Sequence, residues 1–83
     1  MTDPERAAAK AIDPTRVRYP VASAPKRFGR NLSAQAEAEK PQITDKQLAA
    51  MVRQIERFRR QIPQDIVAWA RWVAGEIKER TTR

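Results

Sequence analysis

The chain has 83 residues, 17 Lys and Arg against 10 Asp and Glu, a formal net charge of +7, and neither His nor Cys. This length supports one domain with a small core, and the composition excludes a disulfide framework, a thiol nucleophile, an imidazole base and the commonest transition-metal ligands. We therefore expect no enzyme activity, no catalytic residue, no metal site and no cofactor.

The first predicted element is a short helix near the N-terminus. Asp3-Pro4-Glu5 combines an N-cap residue, a first-turn proline and an acid that suits a helix N-terminus, and alanine dominates residues 7–11. The first six residues lack a cationic stretch followed by an apolar run, and the longest apolar run, residues 66–70, is too short to cross a bilayer. We expect a cytoplasmic protein without a membrane partner.

Residues 1–43 are predicted to form an extended, largely disordered basic arm. Every proline except Pro63 lies in this half, and the few apolar residues between Ile12 and Asn31 follow no helical or strand period. Ser33 is the predicted cap of a second short helix over residues 34–40, which Pro41 ends. The segment from Pro14 to Arg30 lacks acidic residues and carries five cations: Arg16, Arg18, Lys26, Arg27 and Arg30.

Residues 44–83 are predicted to form a helical hairpin. Thr44 and Gln47 fit a capping box that begins a helix at about residues 45–61. Its apolar residues recur at intervals of three and four: Leu48, Met51, Ile55, Phe58 and Ile62. A second helix is predicted at about residues 64–80. Because a residue before proline resists the helical conformation, Ile62-Pro63 favours a corner over a kink in one long helix.

The predicted fold class is therefore all-α, with a basic arm followed by a two-helix hairpin. Two helices leave each apolar face with one neighbour, which is too little to close a core. We expect the hairpin to self-associate into a helical bundle, most simply as a homodimer.

The positive charge predicts a polyanionic partner, although it could also serve solubility alone. On a helical projection four cations line up opposite the apolar stripe of the first long helix. Together with the cations of the arm they make up the predicted nucleic-acid-binding set: Arg16, Arg18, Lys26, Arg27, Arg30, Lys46, Arg53, Arg57 and Arg60.

Three aromatic residues are candidates for contact with a partner. Tyr19 and Phe28 lie among the cations of the arm, a pattern that suits either base stacking or insertion into grooves of a protein. Trp72 falls outside the apolar side of its predicted helix, which makes it a candidate anchor for a partner protein.

Two functions remain open from the sequence. The first is a small nucleic-acid-binding accessory or regulatory protein that contacts mainly backbone phosphates. The second is a protein-interaction module, a small subunit, adaptor or inhibitor, that docks on a larger and acidic assembly through its apolar faces, Trp72 and the arm.

Overall fold

A computed structural model describes residues 1–81 of the chain and the side chains of residues 1–79. Its elements are the helices α1 (Asp3–Ala11), α2 (Ala24–Ala36), α3 (Asp45–Arg57) and α4 (Gln64–Thr81), with a short 3₁₀ helix (Arg59–Gln61) between α3 and α4. No strand occurs within residues 1–81, so the all-α class is confirmed. The last two residues of the predicted hairpin, 82 and 83, lie outside the described residues.

The predicted disordered arm is wrong, because the N-terminal half is folded. Residues 1–43 contain two helices, and α1 contacts each of α2, α3 and α4. The prediction failed because the apolar material of this half consists mainly of alanine, which carries little hydropathy signal. Ala8 and Ala9 are nevertheless completely buried, as is Ile12 at the end of α1. Such small side chains let neighbouring helices come close to α1.

The helix α1 begins one residue earlier than the sequence predicts. Its N-cap is Thr2, whose hydroxyl accepts a hydrogen bond from the amide of Glu5 at 3.3 Å. The carboxylate of Glu5 accepts one in return from the amide of Thr2 at 2.7 Å. This capping box leaves Asp3 and Pro4 inside the first turn, where an acid and a proline both suit a helix start.

The second short helix lies well before its predicted position. Ser23 caps α2 by accepting a hydrogen bond from the amide of Lys26, and Pro25 lies in its first turn. Ser33, the predicted cap, is instead buried inside α2, which ends at Ala36. The serine-and-proline signal at residues 23–25 therefore determines this helix.

The C-terminal half contains two helices, of which the first ends at Arg57 instead of at about residue 61. Thr44 and Gln47 form the expected capping box, with both hydrogen bonds at 3.1 Å. The chain leaves the α-helical conformation after Arg57, passes through the 3₁₀ helix and is extended at Ile62 (φ −115°, ψ 141°). Glu56 of α3 bonds Arg71 of α4, and the two helices pack together as an antiparallel pair. The corner before Pro63 is confirmed.

The core forms between all four helices rather than between two. The large side chains buried most completely come from both halves of the chain: Ile12, Val17, Leu32, Met51, Ile55 and Val67. Self-association was expected because two helices cannot close a core, and that reason no longer applies to this fold. Within the described residues, no helix is both long enough and apolar enough to cross a membrane.

Candidate nucleic-acid interface

The loop between α1 and α2 is fastened to the 3₁₀ helix by two hydrogen bonds. The backbone amide of Arg18 donates to Oε1 of Gln61 at 2.7 Å, and Nε2 of Gln61 donates to the carbonyl oxygen of Arg18 at 3.2 Å. Because both polar atoms of the Gln61 amide bind one residue, the loop is held in a defined position. Residues 14–18 and Gln61 line one polar groove there.

An aromatic contact holds the same loop against the end of α3. The rings of Tyr19 and Phe58 meet edge to face, with centroids 4.7 Å apart. The guanidinium of Arg57 lies 5.5 Å from the centroid of the Phe58 ring, at a cation–π distance. These contacts bring the loop cations next to the cations around the end of α3.

We name the arginines on these two neighbouring segments of the chain the basic corner: Arg16, Arg18, Arg57, Arg59 and Arg60. All of its side chains are exposed. The ion pairs Lys10–Glu37 and Arg71–Glu56 involve none of them. Their positive charges therefore face solvent and can meet an anionic partner.

Two carboxylates lie near the basic corner, and both make hydrogen bonds within the chain. Asp13 accepts hydrogen bonds from the hydroxyl and the amide of Thr15, at 2.6 and 2.9 Å, and these bonds lower the pKa of Asp13. The pKa of Glu56 is lowered mainly by its hydrogen bonds from Arg71, at 2.9 and 3.1 Å. Both groups are charged at neutral pH and reduce the positive potential at the edge of the basic corner.

A second group of cations lies in the first two turns of α2. Lys26, Arg27 and Arg30 line a shallow groove together with Val21, Ala22 and Ser23, which we name the α2 groove. The first turn of α2 contains no acidic residue. Five of the predicted binding cations, from the loop and from α2, are therefore ordered on the folded surface instead of lying in a disordered arm.

The predicted row of cations along the first long helix is only partly formed. Lys46, Arg53 and Arg57 are exposed on α3, but Arg60 lies in the 3₁₀ helix and does not continue their row. Lys46 is separated from Arg57 by about 16 Å of helix. Arg53 lines a groove with Glu56 and Arg71, between α3 and α4. The structure thus separates Lys46 from the basic corner, whereas Arg53 lies one helical turn before Arg57.

The two aromatic residues predicted to meet a partner from the arm are packed inside the protein instead. Tyr19 donates a hydrogen bond from its hydroxyl to the carbonyl oxygen of Ile12 at 2.6 Å and accepts one from Nε2 of Gln54 at 2.9 Å. Phe28 is half-buried and packs against the core. Trp72, in contrast, is 63% exposed on α4, as its position on the helical projection predicts.

Sequence reasoning missed residues that build this surface. Arg59 belongs to the basic corner, and Gln61 positions the loop, yet neither stands in a recognisable motif. Gln54, which is 9% exposed, also donates a hydrogen bond to the carbonyl oxygen of Pro25 at 2.9 Å and so joins α2 to α3. A polar residue at a buried helical position is the one signal that could have indicated Gln54.

Comparisons with known proteins give no match for this chain. The chain matches no protein-family model, and no curated protein or solved structure is significantly similar to it. In the described part of the chain, no group of three or more acidic side chains is placed to hold a metal ion.

Proposed function

We propose that this chain is a small, non-enzymatic nucleic-acid-binding protein with an accessory or regulatory role, and that it contacts mainly backbone phosphates. The observation that supports this most is the clamp of Gln61 on the main chain of Arg18, which joins cations distant in sequence into one surface. Clustered guanidinium groups on one face are the electrostatic footprint that phosphate binding requires. The proposed location is the cytoplasm.

The mode of binding follows from how the chain uses its amide side chains. Asn and Gln are the residues that read adenine edges, and they need free amide groups to do so. Beside the basic corner, the amides of Gln54 and Gln61 are used in internal hydrogen bonds, and Gln35 and Gln47 bond each other at 3.2 Å. The exposed amides of Asn31, Gln42 and Gln64 do not belong to the corner. We therefore propose electrostatic binding with little sequence preference.

The α2 groove supplies further cations to the same partner in this proposal. Lys26, Arg27 and Arg30 lie at the start of the helix that follows the loop of the basic corner. Lys46 is about 16 Å of helix away from Arg57 and is expected to contribute less than Arg53, which lies one turn before Arg57. The proposed order of contributions is the basic corner first, then the α2 groove, then α3.

The test is a salt titration of binding to a fluorescent nucleic acid. Arg18→Gln combined with Arg60→Gln removes two charges from the basic corner while leaving the Gln61 clamp, which uses only the main chain of Arg18. We expect weaker binding and a slope of log K against log salt that is shallower by about 2. An unchanged affinity, or a weaker affinity with an unchanged slope of log K against log salt, would contradict phosphate contact at this corner.

A matched control removes the same charge elsewhere. Arg6 and Lys40 are exposed cations near the other end of α1, where the amino terminus of Met1 bonds the carbonyl oxygen of Pro41. Arg6→Gln combined with Lys40→Gln lowers the net charge equally but leaves the basic corner intact. We expect this variant to keep the slope of the unmodified chain. Equal slopes for the two double variants would indicate a uniform charge effect instead of a site.

A second function, docking on a larger protein assembly, is favoured by the exposure of Trp72. An exposed Trp is costly to leave in water and is enriched among the residues that dominate protein interfaces. Val21, which is 91% exposed, provides the matched control. If this function is correct, Trp72→Ala abolishes a pull-down from the source cells that Val21→Ala leaves intact, and Trp72→Ala leaves nucleic-acid binding unchanged.

A further inference from the structure

The aromatic rings that the sequence places among cations are partly buried and make contacts within the protein. The Tyr19 ring meets Phe58 edge to face, and its hydroxyl both donates and accepts an internal hydrogen bond. Phe28 and Phe58 are half-buried and pack against the core. The rings beside the basic corner and the α2 groove are therefore partly buried and already in contact within the protein, as Phe58 is with Tyr19 and Arg57.

The exposed aromatic ring lies in a different electrostatic setting. Trp72 is 63% exposed, and it shares one side of α4 with the exposed carboxylate of Asp65, seven residues earlier. Glu76, one turn later, adds a second acidic side chain close to that side. Because carboxylates repel phosphates, Trp72 is poorly suited to stack a base of a bound strand.

The cations themselves are carried by backbone that is fixed before any partner binds. Gln61 holds the main chain of Arg18, and the Tyr19–Phe58 contact holds the loop on the end of α3. Cations whose main chain is already held in place suit a partner whose phosphates are also fixed in space. A double helix has such phosphates, whereas a single strand must order its backbone to match them.

We infer that the nucleic acid recognised by the basic corner is double-helical, and that single strands bind more weakly. This inference rests on the proposed function. Single-strand binding draws much of its affinity from bases stacked on exposed aromatic side chains, and the rings at this surface are partly buried in internal contacts. A duplex instead presents a denser line of charge, about one phosphate per 1.7 Å of its axis, and so gains more from each cation.

The experiment compares three probes with the full chain by fluorescence anisotropy at several salt concentrations. They are a DNA duplex of about 20 base pairs, one of its strands chosen not to self-pair, and an RNA duplex of the same length. We expect at least one duplex to bind about tenfold more tightly than the strand, with the steeper salt dependence. The two duplexes distinguish DNA from RNA as the source of the same backbone chemistry.

The outcomes separate this inference from the proposed function. A single strand that binds as tightly as both duplexes, or more tightly, overturns the duplex preference while leaving nucleic-acid binding intact. Absence of binding to all probes at low salt overturns both. If the preference for a duplex weakens in the Arg18→Gln and Arg60→Gln double variant, but not in the Arg6→Gln and Lys40→Gln control, the preference arises at the basic corner.

Two aromatic variants test the premise about stacking directly. Phe28→Leu removes a ring but keeps an apolar side chain for the core, and Trp72→Ala removes the exposed ring. We expect each variant to keep the ratio of duplex to single-strand affinity within about twofold. A selective loss of single-strand affinity in either variant shows base stacking and contradicts the inference.

Discussion

The two halves of this molecule contribute different types of residue to one core. In α3 and α4 the buried positions are filled by Met51, Ile55, Val67 and Val73, which recur at helical spacing. In α1 and α2 many of the buried positions are alanine, and Gly29 is buried as well. The C-terminal half therefore gains stability from apolar area, whereas the N-terminal half depends more on close approach.

The helices α1 and α2 can lie close together because the polar groups at their contact are hydrogen-bonded. The carbonyl oxygen of Ile12, at the end of α1, accepts the hydroxyl hydrogen bond of Tyr19 next to Gly29. Gln54 then joins Tyr19 to α2 through its bond to the carbonyl oxygen of Pro25. A helix with little apolar area can thus remain folded when its partners come near and its polar atoms are paired.

The sharpest test of this comparison is one core truncation in each half. Leu32 in α2 and Ile55 in α3 are both almost completely buried. We expect Leu32→Ala and Ile55→Ala to lower the free energy of unfolding by similar amounts, about 3 kcal/mol each, from lost burial and an imperfectly filled cavity. Urea denaturation measures both. A Leu32→Ala variant as stable as the unmodified chain would mean that the N-terminal half lies outside the core.

The next largest effect is expected at the contact between α1 and α2. A Cβ atom added at Gly29 would lie 2.3 Å from the carbonyl oxygen of Ile12 and 3.3 Å from the hydroxyl of Tyr19. Because main-chain atoms cannot move aside freely, we expect Gly29→Ala to lower the free energy of unfolding by about 2 kcal/mol. Thermal and urea denaturation measure the change.

Gly75 provides the matched control for that substitution. It also lies inside a helix, α4, but a Cβ atom added there would meet nothing within 4 Å. Gly75→Ala should therefore raise the free energy of unfolding by about 0.5–1 kcal/mol, because alanine loses less backbone entropy in a helix. If both substitutions stabilise the chain, then α1 and α2 are not in close contact.

Sequence reasoning succeeded for the half whose core follows a period. The capping box at Thr44 and the corner at Pro63 were recognisable because each is a local signal. The N-terminal half gave no such signal, since an alanine-rich helix looks the same whether it is solvated or buried. Only its contacts with α2, α3 and α4 make α1 part of the core.

A smaller effect is expected from the hydroxyl group that lies at the junction of the halves. Tyr19→Phe keeps the ring against Phe58 but leaves the carbonyl oxygen of Ile12 without its donor. We expect the free energy of unfolding to fall by about 1.5 kcal/mol. A cost below about 0.3 kcal/mol, measured by urea denaturation, would show that this hydrogen bond does not help to hold the halves together.

The same hydroxyl predicts a pH dependence with a definite sign. Burial, with a smaller contribution from the Asp13 carboxylate, raises the pKa of Tyr19 above its ordinary value of 10.0, against the opposing hydrogen bond from Gln54. The folded state therefore resists ionisation of Tyr19. The contribution of the neutral hydroxyl to the free energy of unfolding is complete below about pH 10 and is lost as the pH rises through the folded-state pKa. The stability difference between the unmodified chain and Tyr19→Phe should shrink in alkaline solution.

The candidate site was predictable as a set of residue types but not as a surface. The cations of the loop and those of α3 were each visible in the sequence, and their exposure agrees with their charge. Their meeting at the basic corner depends on Gln61, a side chain whose bonding partner is distant in sequence. The inward turn of Tyr19 depends likewise on Phe58 and Gln54, which no local pattern connects to it.

The smallest expected effect concerns the turn that leads into α2, where the N-terminal half carries local strain. Ala22 has φ 56°, a left-handed conformation that its Cβ disfavours, and the amide of Ser23 bonds the carbonyl oxygen of Pro20 across the turn. Ala22→Gly removes this strain but adds backbone entropy to the unfolded chain, so we expect a net gain of about 0.5–1 kcal/mol in the free energy of unfolding. A loss of stability would mean that the turn is not held in this conformation. Gly29→Ala and Ala22→Gly exchange the same two residue types in opposite directions. The predicted loss and gain in the free energy of unfolding therefore test together whether backbone geometry, and not composition, determines the stability of the N-terminal half.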